Sequence, residues 1–404
     1  MGTGRGRSTM DFKEEALKLH SSHQGKIGVC SKVAVETRED LSTAYTPGVA
    51  EPCKEIAKDP QAVWKYTAKG RLVAVVSDGS AVLGLGNIGP LAAMPVMEGK
   101  AILFKEFGDV DAFPVCLDTQ DPREIIETVK RIAPCFGGIN LEDIASPQCF
   151  AIEEALEREL DIPVFHDDQH GTAIVVTAAL FNALKITKKK IQDIKVVLNG
   201  PGSAGTAIIK MLLESGAGHI IACDEYGILY SEREKGIADH KKWLCQVTNP
   251  EHLKGGLEEA LAGADVFIGV SVAHALTPEM IQSMGRDPIV FAMANPEPEI
   301  SYDGALAAGA AVAGTGRSDR PNQINNVLAF PGIFKGALRA GARNITVEMK
   351  KAAARAIAEY IPRDSLTPEY IIPSVLDKNV AEAVAKAVEA AAVHRGAPGQ
   401  KEEK

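Results

Sequence analysis

Two short acidic stretches hold the densest chemistry in this 404-residue chain. "FHDDQHG" (165–171) sets Asp167 and Asp168 side by side between His166 and His170, and "NLEDI" (140–144) carries a second pair, Glu142-Asp143. An isolated acid pair ordinarily sits on a solvated face. Here each pair follows an apolar, strand-like run and precedes a helical pattern, which puts both at the carboxyl edge of parallel strands, where sites form. Three or four carboxylates converging there would be driven to protonate unless a cation balanced them. Ligation by oxygen alone selects Mg2+ or Mn2+ over zinc. His166 and His170, four apart, also suggest the H-E-x-x-H zinc pattern. Against it, Asp167 stands where glutamate is required and the flanks read strand-to-helix rather than mid-helix. A plain helix start, with aspartates complementing the positive end of the dipole, stays open.

Two further residues have chemistry that local sequence does not decide. Lys100 in "MPVMEGKAILF" has apolar neighbours on both sides. It reads either as the exposed end of a strand or as a base whose pKa is lowered by burial or a nearby cation. Tyr45 in "AYTPG" is either a packing aromatic or a proton donor in a polar turn.

"GPGSAG" (200–205) fits G-x-G-x-x-G. Gly200 makes a tight turn, Gly202 admits a pyrophosphate to the backbone, and Gly205 lets helix and strand approach. Ser203 and Ala204 then open the helix whose N-terminus faces the phosphates. The glycine pattern alone is weak. Its place between "IKVVLN" and "TAIIKMLLESG", with Asp224 about 20 residues on, makes it a dinucleotide site. Asp224 can hold a ribose 2′-OH and Glu225 would repel a 2′-phosphate, which favours NAD. Arg233, Lys235, Lys241 and Lys242 lie downstream and could reach such a phosphate, so NADP stays open.

These residues need a scaffold. The chain reads as an α/β protein of two domains. An N-terminal α/β domain spans 1–165 and is completed by C-terminal helices from 327 to 404. A Rossmann-type, doubly wound parallel sheet spans 166–326. A helix is expected from Asp11 to about His20. "RLVAVVSDGSAVLGLGNIG" (71–89) reads as strand, turn and second strand, and "AILF" (101–104) as another strand. "REIIETVKRIAPCF" (123–136) and "SPQCFAIEEALERELD" (146–161) read as helices around the short strand "GGINLEDI" (137–144). Three later strand candidates, "ADVFIGVS", "PIVFAMANP" and "AAVAGTG", put Asn295 and Thr315-Gly316-Arg317 on the ligand-bearing rim. The segments 1–10 and 394–404 read as mobile tails.

Composition narrows the class. A net charge of −9 argues against a nucleic-acid binder, which wants a basic footprint. Seven cysteines without a CxxC pair suit free thiols in a reducing compartment. No apolar run of the roughly 18 residues needed to span a bilayer is apparent, and "MGTGRGRSTM" lacks a signal-peptide core. The expectation is a cytoplasmic enzyme with no membrane or nucleic-acid partner.

Taken together, "AYTPGVAEPC", "SDGSAVLGLGNIGPLAAMPVMEGKAILFK", "NLEDI", "FHDDQHGTA", "GPGSAG", "MANP" and "GTGRSDRPNQINNVLAFPG" resemble malic enzyme in its compact bacterial and archaeal form. The resemblance runs from about Asp11 to about residue 393, short of the acetyltransferase-like domain of longer bacterial forms. It implies metal ligands at Glu142, Asp143 and Asp168, a general base at Lys100, an acid supporting it at Asp167, and a proton donor at Tyr45. Asn295 and Asn326 match substrate-contacting asparagines, with Asn325 beside them, and Asn295 also falls within reach of the cofactor. It further implies a homodimer. Larger relatives have arginine where this chain has Ala81, so a substrate carboxylate must find another partner.

The implied reaction is L-malate plus NAD(P)+ giving pyruvate, CO2 and NAD(P)H, assisted by Mg2+ or Mn2+. Two alternatives differ in class. One is a hydroxy or amino acid dehydrogenase that releases no CO2. The other is a silent dinucleotide sensor.

Overall fold

The computed structural model describes residues 12–233 and 235–393, so the two expected tails, and Asp11, lie outside the described residues. Two sheets organise the chain. The first has four parallel strands, β1 (Leu72–Ser77), β2 (Asp111–Cys116), β3 (Gly138–Leu141) and β4 (Val164–His166), in the order β2-β1-β3-β4. The second contains β5 (Lys195–Asn199), β6 (His219–Asp224), β7 (Gly227–Ile228), β8 (Val266–Gly269), β9 (Ile289–Ala292) and β10 (Val312–Thr315), ordered β10-β9-β8-β5-β6-β7. Among the described strands only β7 runs antiparallel. Order reverses between β5 and β8, and that switch point opens a crevice at their carboxyl ends.

The helices precede and then alternate with these strands. Four lead in: α1 (Phe12–His23), α2 (Arg38–Ala44), α3 (Ala50–Lys58) and the single turn α4 (Val63–Tyr66). Around the first sheet lie α5 (Gly89–Gly108), α6 (Pro122–Ile132) and α7 (Gln148–Glu159), and α8 (Asp167–Thr187) leads to the second. That sheet carries α9 (Ser203–Glu214), α10 (Asp239–Val247), α11 (Leu257–Leu261), α12 (Pro278–Gln282) and α13 (Tyr302–Ala307), and α14 (Phe330–Arg339), α15 (Val347–Glu359) and α16 (Asn379–Val393) close the chain.

Several expectations hold in type and place, among them the strands of the second sheet and the helices at α6, α7 and α9. Two fail. "AILF" is not a strand but the middle of α5. Its buried residues, Ala93, Met97, Lys100, Ala101, Phe104 and Gly108, recur three or four apart, the helical period that a four-residue apolar window cannot display. "VLGLGNIG" is not a second strand either. Gly84, Gly86 and Gly89 all take positive φ (+76°, +74°, +76°), which closes a tight loop joined by one Val82–Gly86 bridge. The strand β2, "DAFPVC", was not foreseen. Its Pro114 is tolerated because β2 is an edge.

Long-range packing ties the halves together. Phe104 of α5 stacks edge-on against Phe330 and Phe334 of α14, with centroids 4.7 and 5.3 Å apart, and Phe165 of β4 meets Phe334 at 5.9 Å. The returning α14 therefore locks α5 to β4, and with them Lys100 in the middle of that helix and Asp167 just beyond that strand. By length and composition α8 could cross a bilayer, a stretch the apolar-run reading passed over, but 67% of its most apolar window is buried inside the protein. All seven cysteines are free.

One region is unlike the rest. Helices α1, α2 and α3 contain no buried residue. Phe12 is 77% exposed, Val29 93% and Tyr45 67%.

Candidate active site

The carboxyl ends of β3 and β4 are neighbours, with Leu141 paired to His166. Each acid pair begins one residue later, so register alone brings Glu142-Asp143 beside Asp167-Asp168. The backbone then sharpens the approach. Asp143 adopts φ +54°, and its N–H donates to Asp168 Oδ2 at 2.9 Å. One carboxylate oxygen from each of Glu142, Asp143 and Asp168 lies within 4.8 Å of the others. Glu142 and Asp143 are buried, and Asp143 Oδ2 has no hydrogen-bond partner. Burial first, and then the neighbouring carboxylates of Asp168 and Glu142, push the Asp143 carboxyl up to about 8. Three crowded carboxylates, one of which has an orphaned oxygen, form a donor set that could hold a hard divalent cation.

Lys100 is not at a strand's exposed end. It is buried on α5, its Nζ 2.6 Å from Asp167 Oδ2 and 2.8 Å from Glu142 Oε1, over the Phe330 ring at 4.2 Å. Burial alone would lower its pKa, but Asp167, Glu142 and Asp168 outweigh that and hold the ammonium above its ordinary value. Asp167 is fully buried. Desolvation, partly offset by Lys100, moves its carboxyl up to about 7. Asn326 Nδ2 donates to the same Oδ2 at 2.5 Å, and Asn140 Nδ2 donates to Glu142 at 2.8 Å. Asn140 was not singled out from sequence. Its place two residues before Glu142, on the same face of β3, is the signal that existed.

The remaining letters of "HDDQHG" acquire work from this geometry. Asp167 folds back over the first turn of α8, so that a Cβ on Gly171 would lie 1.8 Å from Asp167 Oδ1. Only glycine leaves that space. Beneath the turn, the buried Glu153 of α7 accepts from the His166 backbone N–H (2.8 Å), Gln169 Nε2 (3.1 Å) and His170 Nε2 (3.0 Å). The buried His166 ring comes within 3.8 Å of Asp168.

The glycine turn forms a second pocket at the switch point. Gly200 takes φ +94° and a Cβ there would sit 2.5 Å from the Val270 carbonyl oxygen. A Cβ on Gly205 would meet the Gly200 carbonyl oxygen at 2.3 Å, whereas one on Gly202 would face open space. Gly202 caps α9 without a side-chain acceptor, which leaves the first N–H groups of α9 for an anion. This pocket, about 540 Å3, is lined by Gly200, Gly202, Asp224 and Val270 among others.

A third space, about 280 Å3, joins the two regions. Its walls include Asp143, Asp168, Ser203, Ala204, Asn295, Asn325 and Asn326, and Val270 is common to it and the glycine-turn pocket. Ala81 lines it as well, and no lysine or arginine does among the described residues. Tyr45 is the one expected site residue left out. It caps α2 on the exposed N-terminal face and lines none of these spaces.

Comparison with known proteins decides the family. The profile described as "Malic enzyme, N-terminal domain" matches residues 24–157, and "Malic enzyme, NAD binding domain" matches residues 169–393. The chain belongs to the malic enzyme family. It is 59% identical over 387 residues to the bifunctional malic/malolactic enzyme of Bacillus subtilis, covering 96% of this chain and 94% of that protein. Identity to the NAD-dependent malic enzyme of Geobacillus stearothermophilus is 57% over 394 residues, with 97% and 81% coverage. The NADP-dependent malic enzyme of Escherichia coli is 48% identical, and the match spans 95% of this chain and 53% of that one. Among solved structures, malic enzyme from Pyrococcus horikoshii superposes with a TM-score of 0.92 at 52% identity, covering 96% of this chain and 92% of the other. As a malic enzyme the chain is an NAD(P)-dependent oxidoreductase that decarboxylates malate. A dehydrogenase that keeps the carboxylate, and a silent sensor, are not favoured.

Proposed function

We propose that this malic enzyme converts L-malate to pyruvate and CO2 in the space between the two sheets, with Glu142, Asp143 and Asp168 as ligands of Mg2+ or Mn2+. The observation that carries this reading is the shared cavity, which sets Asp143 and Asp168 opposite Ser203, Ala204 and Asn295 of the nucleotide side. The orphaned Asp143 oxygen and the crowding of three carboxylates fit a hard cation. When bound, the cation supplies Lewis acidity to negative charge developing on the C2 oxygen. NAD(P)+, seated on Gly200–Gly205 with Asp224 at its ribose end, is the hydride acceptor.

Lys100 takes the proton of the C2 hydroxyl. It begins as an ammonium held by Asp167 and Glu142. Before the first turnover the ammonium would pass one proton to solvent, a loss that would be favoured were Glu142 engaged by a bound cation, and the neutral amine would then accept the hydroxyl proton. Asp167, fixed by Asn326, then orients the amine. Asn295, Asn325 and Asn326 offer amides to the substrate carboxylates in place of the arginine absent at Ala81. Asn325 Oδ1 already accepts from the Val327 N–H at 3.0 Å, which leaves its amide NH2 as the donor. Loss of the C4 carboxylate as CO2 leaves an enolate, and Tyr45 protonates C3.

Tyr45 lies outside the cavity of its own chain, on a stretch with exposed apolar side chains and no buried residue in α1–α3. The reading therefore includes a homodimer in which a second copy covers this face and supplies Tyr45 to the partner's cavity. It also takes 1–165 with 327–404 as the malic domain and 166–326 as the nucleotide-binding domain, a division supported by the second sheet lying within 195–315. A cytoplasmic setting, without nucleic-acid or membrane partners, fits the net charge and the free cysteines.

The test is turnover of malate with NAD or NADP and Mn2+, before and after exhaustive chelation, with release of the C4 carbon followed by label. Metal-dependent nicotinamide reduction with stoichiometric CO2 is expected. Activity that survives chelation would remove the carboxylate triad, and a label retained in the product would remove decarboxylation.

A further inference from the structure

The wall shared by the glycine-turn pocket and the cavity between the sheets is held by one buried carboxylate. β8 ends at Gly269 and β9 at Ala292. The ladder reaches one residue beyond each, with the Val270 N–H donating to the Asn199 carbonyl and the Met293 N–H to the Gly269 carbonyl, both at 3.0 Å. Past that point the chain ends are tied by Glu299. Ser271 donates to its Oε1 from the backbone N–H and from the hydroxyl, each at 2.8 Å, and the Ala294 N–H donates to its Oε2 at 3.0 Å. Ser271 Oγ in turn accepts from Asn199 Nδ2 of β5 at 2.8 Å. The ends of β5, β8 and β9 are thereby joined through one fully buried side chain. Space is reserved for it, since a Cβ on Gly269 would lie 2.5 Å from Glu299 Oε1.

We propose that Glu299 is a positioning residue for hydride transfer, fixing the β8 and β9 loops against which the nicotinamide ring and C2 of malate must align. The inference rests on the reading that the cavity between the sheets is the reaction site. Val270, between Gly269 and Ser271, lines both spaces, and Ser271 lines the glycine-turn pocket. Met293 and Asn295, on either side of Ala294, line the cavity. Glu299 lines neither space, so it acts through these neighbours. Hydride transfer needs its two carbons about 3–3.5 Å apart, and a misplacement of about 1 Å costs about 100-fold. Glu142, Asp143, Asp168 and Lys100 hold the substrate from the first sheet's edge. Alignment with the nicotinamide then depends on loops that have left their own ladder. An ionised carboxylate is an acceptor only, which suits three donors arriving together. Glutamine does not, because turned either way its NH2 faces a donor.

Two reactions of the full-length chain, both with Mn2+ and NAD(P)+, separate positioning from general damage. One is malate oxidation. The other is decarboxylation of oxaloacetate, the ketone that oxidation at C2 would give, which enters after the hydride has left. Glu299→Gln should lower kcat for malate by about 10- to 100-fold. Oxaloacetate decarboxylation should stay within about threefold of wild type, since the acid cluster on the other sheet is untouched. Malate deuterated at C2 should then react with a full primary isotope effect. Glu299→Asp keeps the charge but is one methylene too short to span both loops, and should recover only part of the rate. It carries the test alone if Glu299→Gln does not fold. Malate turnover unchanged in the variants, a fall shared equally by the two reactions, or an absent isotope effect would overturn the proposal. A wild type that oxidises no malate would end the proposed reaction and this inference with it, whereas indifference to Glu299 ends this inference alone.

Discussion

At the scale of single residues, the site depends on oxygens that crowd one another and on space kept for them. Asp168 joins Glu142 and Asp143 within 4.8 Å and accepts the Asp143 N–H. Asp168→Asn keeps that hydrogen bond but removes a charge from the donor set. Its affinity for Mn2+, read by electron paramagnetic resonance on the nucleotide-free protein, should fall by at least the roughly 10- to 100-fold typical of outer-shell partners. Unchanged binding would place the cation elsewhere. Gly171→Ala tests the space. The new methyl must displace Asp167 Oδ1, which moves the carboxylate that holds Lys100. A shift of this kind near reacting groups costs about 100-fold in kcat, while affinity for the dinucleotide, whose pyrophosphate would seat on the glycine turn, should stay within about twofold.

At the scale of elements, the β4–α8 junction is held from below by α7. Glu153 is buried, and burial alone would raise its pKa. His170, which donates to it, and the neighbouring Lys350 more than offset this and bring it down to about 2. A depressed carboxyl stabilises the fold above its unfolded pKa and loses that contribution as pH falls through the native value. The window therefore runs from the ordinary value of 4.5 down to about 2. Glu153→Gln should be less stable than the wild type near neutrality, and urea unfolding at stepped pH should show the gap closing as the medium is acidified toward 2. A constant gap would mean that the charge of Glu153 contributes nothing to the junction.

At the scale of the whole molecule, the carboxyl edges of the two sheets and the elements packed on them carry every expected site residue but Tyr45. If the second copy supplies it, two inactive variants should complement. Tyr45→Phe keeps the acid cluster and Lys100→Ala keeps the tyrosine. Mixed and allowed to exchange subunits, half the dimers are heterodimers, each with one intact site of two, so activity should recover to about a quarter of wild type. No recovery, with exchange verified by mass, would place Tyr45 in the site of its own chain.

What was legible in the sequence was local. Strand, glycine turn and helix around 200–205 are neighbours in the chain, so their spacing reports the nucleotide turn directly. The two acid pairs could be assigned to strand ends for the same reason, since each follows its own strand within a residue or two. The misreadings came where the deciding period is longer than the window, as in "AILF", or where glycines at positive φ break an apolar run, as in "VLGLGNIG". The direction of Lys100, the requirement for Gly171 and the occupation of Asp224 by Arg233 and Lys241 were left to the tertiary structure. Each depends on atoms brought within 3 Å by packing between segments or by a carboxylate turning back on its own helix. Residue types set which charges and donors were available, and the register of β3 against β4, with α14 clamped over α5, decided which of them meet.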